Sequence, residues 1–204
     1  MNINIKALEI TAETVKEFLQ SVITPPLEQV GGLLADQIKL YRFKNQVDIL
    51  QKATDYINAK GIKTHKVGLK TLVPLLEDCS LEEEGYLQDK WTSLFVNTVK
   101  EDSKIESYIF GRILREMSSR DCKIFEQCFG LDYNIQELLK QSKPKRLTAA
   151  NHFFLDETMV DDFAIDNLVR ERLLYEFTSE TSTKPGYRIT ELGFRFMLAV
   201  SRNT

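Results

Sequence analysis

The most informative stretch of the sequence is residues 173–200, which read LLYEFTSETSTKPGYRITELGFRFMLAV. Two short runs of alternating hydrophobicity, LLYEF and YRIT, flank a turn-rich segment that ends in Lys-Pro-Gly, and this pattern predicts a β-hairpin. The closing ELGFRFMLAV has the apolar spacing of a helix. We expect the hairpin to return into that helix through Thr190 and Gly193, which fit an x-Thr-x-x-Gly helix start.

The segment before the hairpin has the spacing of short helices. We predict them over residues 119–129 (ended by Gly130), 135–141 and 160–173, the last with Phe163, Leu168 and Val169 in the core. Helices followed by a hairpin and a closing helix are the order of a winged-helix unit. The hydrophobic pair at residues 173–174, where the hairpin is entered, is common in such units.

The first part of the chain has helical periodicity and no clear strand alternation. Its longest periodic stretch runs from Leu27 to Lys60, and Gly61 follows where a helix commonly ends with a residue at positive φ. Ser80-Leu81-Glu82-Glu83 fits a capping box, in which serine and glutamate each satisfy a backbone N–H. Other predicted helices cover residues 11–23, 69–79 (with Pro74 near its first turn) and 105–117. The predicted inward-facing residues are Leu87, Trp91, Leu94, Phe95 and Thr98 behind the capping box, and Tyr108, Ile109, Ile113 and Leu114 in the later helix.

These patterns together predict a mainly α protein of 204 residues. Residues 1–117 form an N-terminal helical bundle built around one long helix, and residues 118–204 form a winged-helix-like unit with a small β-hairpin. A chain of this length is sufficient for one large domain or two small ones.

Composition excludes several classes of protein. The formal net charge is -3, so no overall basic excess favours DNA. No apolar run reaches the roughly 18 residues of a membrane helix, and the first residues lack signal-peptide features, so we expect a cytoplasmic protein. Cys79, Cys122 and Cys128 are odd in number and form no C-x-x-C pair, which indicates reduced packing thiols. His65 and His152 lie too far apart in sequence for paired zinc ligands.

No motif predicts a catalytic residue, a metal site or a cofactor. The glycine pair at residues 31–32 opens no phosphate-binding loop, and no G-x-S-x-G occurs. Carboxylates cluster at residues 82–84 and at Asp161, Asp162 and Asp166. Such pairs can hold a divalent metal in a hydrolase, but both clusters lie at predicted helix starts, where the helix dipole favours negative charge.

Several basic residues favour a DNA-binding regulator as the alternative function. Its candidate contacts are Lys143, Lys145, Arg146, Lys184 and Arg188. The helix that would enter the major groove begins with two aspartates, which would repel phosphate. We therefore favour a protein-binding unit, with a candidate interaction surface at Lys39, Arg42, Lys44, Lys184, Pro185 and Tyr187. A membrane-directed effector using the apolar residues 30–34 is a weaker alternative, because no strongly basic face accompanies them.

Charge is divided unevenly along the helical part. Residues 36–70 contain eight lysines and arginines against three acids, whereas residues 77–102 contain eight acids against two lysines. Packing of the two segments, or self-association such as a homodimer, would bring opposite charges together. Two solvated faces remain an equally good interpretation.

The residues 32–45, GLLADQIKLYRFKN, resemble the signature of the abortive-infection alpha (Abi-alpha) family, a bacterial helical domain. Similar stretches are LVPLLE at 72–77, SLEE at 80–83, Trp91 with Leu94 and Asn97, and ILREMSSRD at 113–121, where one helix closes and the next is capped. The likeness runs from about Pro25 to about Asp121. The sequence departs from the common form of the family in places. Tyr41 stands where tryptophan is frequent, and Phe95 and Val96 stand at positions that are usually richer in leucine and alanine.

The resemblance implies a role in phage defence, in which an infected cell halts or dies before phage matures. It carries over no established catalytic residue. Combined with the residues, it predicts a non-enzymatic bacterial defence protein that acts through a protein partner or self-association, with a DNA-binding winged-helix regulator as the alternative.

Overall fold

The computed structural model describes residues 40–103, 105–131, 161–178 and 185–202. Helices dominate these residues, and the strands form one small antiparallel hairpin, which confirms the mainly α fold class. The described residues fall into two compact units. The first unit holds those up to Arg115 together with those from Ala199 onward, and the hairpin unit runs from Glu116 to Leu198.

The helices described in the first unit are α1 (Leu40–Lys60), α2 (Leu69–Cys79), α3 (Gly85–Val99) and α4 (Ser107–Arg115). Helix α1 packs mainly against α3, and α2 packs mainly against α4. Their shared core contains large side chains that are almost completely buried, namely Ile49, Leu50, Leu72, Leu75, Trp91, Leu94, Phe95, Phe110 and Ile113. Apolar spacing of three and four residues on each helix explains this core, since it gathers those side chains on one face.

Helix α1 also supplies polar side chains to the end of α2. The side-chain amide of Asn45 donates to the Ser80 carbonyl at 3.1 Å, and that of Gln46 donates to the Leu76 carbonyl at 2.8 Å. Arg42 Nε donates to Ser80 Oγ at 2.9 Å. The last carbonyls of a helix have no backbone partner within it, so Asn45 and Gln46 supply side-chain donors to carbonyls at the end of α2.

The hairpin unit contains α5 (Ser119–Leu131), α6 (Asp162–Arg170), β1 (Leu174–Phe177), β2 (Gly186–Ile189) and the start of α7 (Glu191–Val200). The strands pair antiparallel, with Leu174 opposite Ile189 and Phe177 opposite Gly186. Phe125, Phe129, Phe194 and Phe196 make successive ring contacts with centroids about 6 Å apart, which is the usual spacing of paired aromatic rings. All four phenylalanines are buried and belong to the core of the hairpin unit.

The predicted hairpin exit is confirmed. Thr190 Oγ1 donates to the Arg172 carbonyl at 2.6 Å and accepts from the Gly193 N–H at 2.9 Å, so it caps α7. The backbone N–H of Thr190 donates to the Leu173 carbonyl at 3.0 Å. A Cβ atom at Gly193 would collide with that same carbonyl oxygen, which explains why the position carries glycine.

Several local predictions are wrong. The capping box at residues 80–83 does not form, because Ser80 Oγ donates to the Glu77 carbonyl at the end of α2 and α3 begins only at Gly85. Gly130 lies inside α5, which runs to Leu131, and not after the helix as predicted. Tyr108 is 60% exposed, since the buried face of α4 is set by Phe110, Ile113 and Leu114.

Other predictions fall outside the described residues. They are the helices over 11–23 and 135–141 and the part of the long helix before Leu40. The predicted end of that helix at Gly61 is confirmed, with a φ of 61°. Because residues 135–141, where the middle helix of a winged-helix unit is predicted, lie outside the described residues, the winged-helix arrangement stays a prediction.

Candidate interaction surface

Helix α6 packs against α5 through its apolar side and through its N-terminal cap. Ala164, Ile165 and Leu168 are buried, and α6 packs against α5. Asp161 caps the helix, since its Oδ1 accepts from the Ala164 N–H at 3.4 Å, and its other oxygen pairs with Arg120 of α5. One side of α6 is therefore committed to the core and the other faces solvent.

A buried polar network fixes the rotation of α6. Ser118 and Asp121 form a reciprocal capping box at the start of α5: Ser118 N–H donates to Asp121 Oδ2 at 2.7 Å, and Asp121 N–H donates to Ser118 Oγ at 3.2 Å. The Asn167 amide donates to the same Asp121 Oδ2 at 3.0 Å. Arg170 Nη2 donates to Asn167 Oδ1 at 2.5 Å. Since Asp121 and Asn167 are both buried, this network holds α6 in one orientation.

The outward side of α6 presents a large aromatic ring between two carboxylates. Phe163 is 83% exposed, and Asp162 and Asp166 are exposed beside it. The prediction of Phe163 as a core residue is wrong, because the helical turn of 100° per residue puts Phe163 on the same side as Asp166 when residues 164, 165, 167 and 168 face inward. An outward phenylalanine in a well-packed helix is a departure from the rule that large apolar groups are buried.

The hairpin extends this surface. Glu176 of β1 pairs in register with Tyr187 of β2, and Tyr187 is half-buried. Partial burial raises the pKa of Tyr187, and the negative charges of Glu176, Asp166 and Asp162 raise that pKa further. Helix α6 packs against β1, so its aspartates and Glu176 lie on neighbouring elements of the hairpin unit. We call the set Asp162, Phe163, Asp166, Glu176 and Tyr187 the acidic–aromatic face.

The opposite side of the hairpin has a different character. Tyr175 is 50% exposed, and the Arg188 guanidinium lies 4.4 Å from the centre of its ring, within the range of a cation–π contact. The two residues are opposite each other in the strand register. Arg188, predicted as a DNA contact, thus has an aromatic partner within the hairpin.

The predicted interaction residues that the structure describes belong to both units. Arg42 is half-buried and holds Ser80, so its guanidinium has a structural partner, whereas Lys44 and Pro185 are exposed. Tyr187 lies in the acidic–aromatic face. The remaining candidates, Lys39, Lys143, Lys145, Arg146 and Lys184, lie outside the described residues. The uneven division of charge along the chain is reflected in an ion pair between α1 and α3, in which Lys52 Nζ lies 3.4 Å from Asp89 Oδ1.

The cysteines have the properties of packing residues. All three are buried and none forms a disulfide. Burial raises the pKa of the Cys79 thiol well above its usual range and raises that of Cys128 to about 12. Since only the thiolate is a good nucleophile, these two sulfurs are unreactive at neutral pH.

Two further findings concern the described residues only. Among residues 40–103, 105–131, 161–178 and 185–202, no three histidine, cysteine, aspartate or glutamate side chains meet in a group that could hold a metal ion. No helix in that part of the chain has both the length and the apolar character needed to cross a membrane.

Comparison with known proteins identifies the family. Residues 35–200 match the family model described as abortive infection alpha. No curated protein and no solved structure matches the chain. The family match begins shortly before α1 and ends at the last residue of α7, so it includes helices of both units and the hairpin. The chain therefore belongs to the abortive infection alpha family.

Proposed function

We propose that this protein serves abortive infection without catalysing a reaction, by binding a protein partner through the acidic–aromatic face. Membership of the abortive infection alpha family supplies the biological setting. The observation that carries the proposal is the 83% exposure of Phe163 between two exposed aspartates. An aromatic ring surrounded by polar groups is the usual composition of a binding hot spot.

The same face disfavours the DNA-binding alternative. In a winged-helix unit, α6 would be the helix that enters the major groove. Its outward side carries Asp162 and Asp166, and carboxylates facing phosphate oppose the release of counterions that drives DNA binding. Arg188 lies over the Tyr175 ring on the other side of the hairpin. A partner that offers positive charge and an apolar group is a better match for the acidic–aromatic face.

The proposal is tested by phage protection. A phage whose plating is reduced by the wild-type chain is used to challenge cells that express Phe163→Ala at the same level. We expect protection to fall by about tenfold or more, because truncating a hot-spot aromatic commonly weakens binding by that factor. Thermal unfolding of the purified variant should be unchanged, since the ring is mostly in solvent.

Tyr108→Ala is the matched control. Tyr108 is also an exposed aromatic residue on a helix, but it belongs to the first unit. This variant should protect as well as the wild type does. Equal protection by Phe163→Ala and the wild type would contradict the proposal, as would salt-sensitive binding of duplex DNA that Arg188→Glu abolishes.

A further inference from the structure

A second surface, in the first unit, has the opposite charge. The loop between α1 and α2, together with the lysine that ends α1 and the second residue of α2, spans residues 60–70 and is called here the basic loop. Its lysines are Lys60, Lys63, Lys66 and Lys70, and all four are exposed. Among the ion pairs of the described residues, none involves these four lysines.

The basic loop is held in place by backbone contacts. The His65 N–H donates to the Val99 carbonyl at 2.8 Å, and the Glu101 N–H donates to the Lys63 carbonyl at 2.9 Å. Glu101 and Asp102 therefore lie beside the loop, as does Lys100. The lysines of the basic loop together with Lys100 outnumber these two acids, so the surface remains positively charged. A fixed backbone lowers the entropy lost when such a loop binds a partner.

The acidic–aromatic face has the complementary features. Its carboxylates at Asp162, Asp166 and Glu176 likewise appear in none of the ion pairs of the described residues. The Phe163 ring would be removed from water by contact with an apolar side chain. The basic loop offers such a side chain in Ile62, which is half-exposed. The acidic–aromatic face therefore offers negative charge and an apolar ring, and the basic loop offers positive charge and an apolar side chain to meet them.

We propose that the acidic–aromatic face of one copy binds the basic loop of a second copy of this chain. This inference rests on the proposed function, for which it names the partner. The two surfaces differ, so the contact is heterologous: it occurs twice in a reciprocal dimer, or once per junction in a ring or an extended chain. The small net charge of -3 means that whole-molecule repulsion between copies is weak.

Sedimentation velocity of the full chain tests the inference. At about 50 mM salt we expect a concentration-dependent increase in mass above that of a monomer, and at about 500 mM salt we expect the monomer, because screening weakens exposed charge pairs. The double variant Asp162→Lys with Asp166→Lys, and the double variant Lys63→Glu with Lys66→Glu, should each raise the dissociation constant by about tenfold or more.

Mixing the two double variants is the decisive measurement. Each retains one native surface and one reversed surface, so every contact between unlike variants pairs opposite charges. We expect the mixture to associate when neither variant does alone. Arg112→Glu, an exposed charge reversal on α4 outside the basic loop, should associate as the wild type does.

Defined results would overturn the inference. They are a wild-type monomer at low salt, double variants that associate normally, or a mixture that stays monomeric. Binding of nucleic acid by the basic loop of a monomeric chain would overturn it too. Phage protection separates the inference from the proposed function. If the wild type is a monomer but Phe163→Ala loses protection, only the inference is wrong. If the Asp162→Lys, Asp166→Lys variant is a monomer but protects fully, only the proposed function is wrong.

Discussion

Arg172 and Gly61 occupy equivalent positions at the ends of two helices, although only glycine suits the backbone there. Each has a φ of 61°. At Gly61 the next N–H, that of Ile62, donates to the Ile57 carbonyl, and at Arg172 the Leu173 N–H donates to the Leu168 carbonyl in the same way. Both are Schellman ends, in which the residue after the helix is left-handed. Arg172 adopts that conformation with a Cβ atom, at a steric cost of about 1 kcal/mol.

Arg172→Gly should therefore stabilise the protein by up to about 1 kcal/mol, because glycine adopts a positive φ without that cost. Gly61→Ala is the reciprocal change and should destabilise by about 1 kcal/mol, although no atom lies within 4 Å of the added Cβ. Urea denaturation measures both changes in the free energy of unfolding. A loss of stability in Arg172→Gly would show that the arginine side chain contributes more than its backbone conformation costs.

These two residues also show which left-handed helix ends can be predicted from the sequence and which cannot. Gly61 was predictable because glycine after a periodic stretch is itself the signal. Arg172 gives no such signal, since arginine is compatible with a continuing helix. Its conformation follows from the entry into β1, where Leu173 and Leu174 are buried and require the chain to turn.

At the scale of the element, neighbouring segments determine which of two similar motifs becomes a cap. Ser80-Leu81-Glu82-Glu83 and Ser118-Ser119-Arg120-Asp121 both fit a capping pattern. Only the second forms, because Ser80 is already engaged by the Glu77 carbonyl and by Arg42 of α1. A contact with a residue 38 positions away in the chain cannot be deduced from four adjacent letters.

The same reasoning separates the predictable from the unpredictable part of the acidic–aromatic face. The hairpin and the start of α7 were predicted because their signals are local, including Thr190 and Gly193. Phe163 was assigned to the wrong side of α6, since its apolar character suggests burial while the rotation of α6 is fixed by Asn167 and Asp121. The exposed acids of α6 are visible in the sequence, but the packing of α6 against β1 of the hairpin requires the fold.

Gly193→Ala should destabilise the hairpin unit by about 2 kcal/mol or more, because its Cβ would overlap the Leu173 carbonyl oxygen and the start of α7 would have to shift. Gly130→Ala is the matched control. It also lies within a helix, but no atom lies within 4 Å of its added Cβ, so it should be neutral or stabilise by up to about 1 kcal/mol. Thermal unfolding distinguishes them, and equal losses would mean that the close approach at Gly193 is not what limits substitution.

At the scale of the whole molecule, the chain returns to the first unit at its end. Helix α7 begins in the hairpin unit, whereas its last two residues and those that follow belong to the first unit. The Asn97 amide of α3 donates to the Ala199 carbonyl at 2.8 Å and to the Ser201 carbonyl at 3.0 Å. Asn97 thus satisfies carbonyls at the negative end of α7. It is also one of the residues on which the family resemblance depends.

Asn97→Asp should destabilise the first unit by about 2 kcal/mol, since a carboxylate cannot donate to those carbonyls and adds negative charge at the negative end of a helix. Arg202→Ala removes an exposed ion pair to Asp89 in the same segment and should cost less than about 1 kcal/mol. Urea denaturation gives both values, and hydrogen exchange of the amides at residues 198–202 reports whether the segment opens. Faster exchange in Asn97→Asp than in Arg202→Ala is expected, because the amide of Asn97 bonds the backbone directly, whereas Arg202 contacts the side chains of Asp89 and Tyr56. The reverse order would mean that the terminal segment is retained by charge and not by the hydrogen bonds of Asn97.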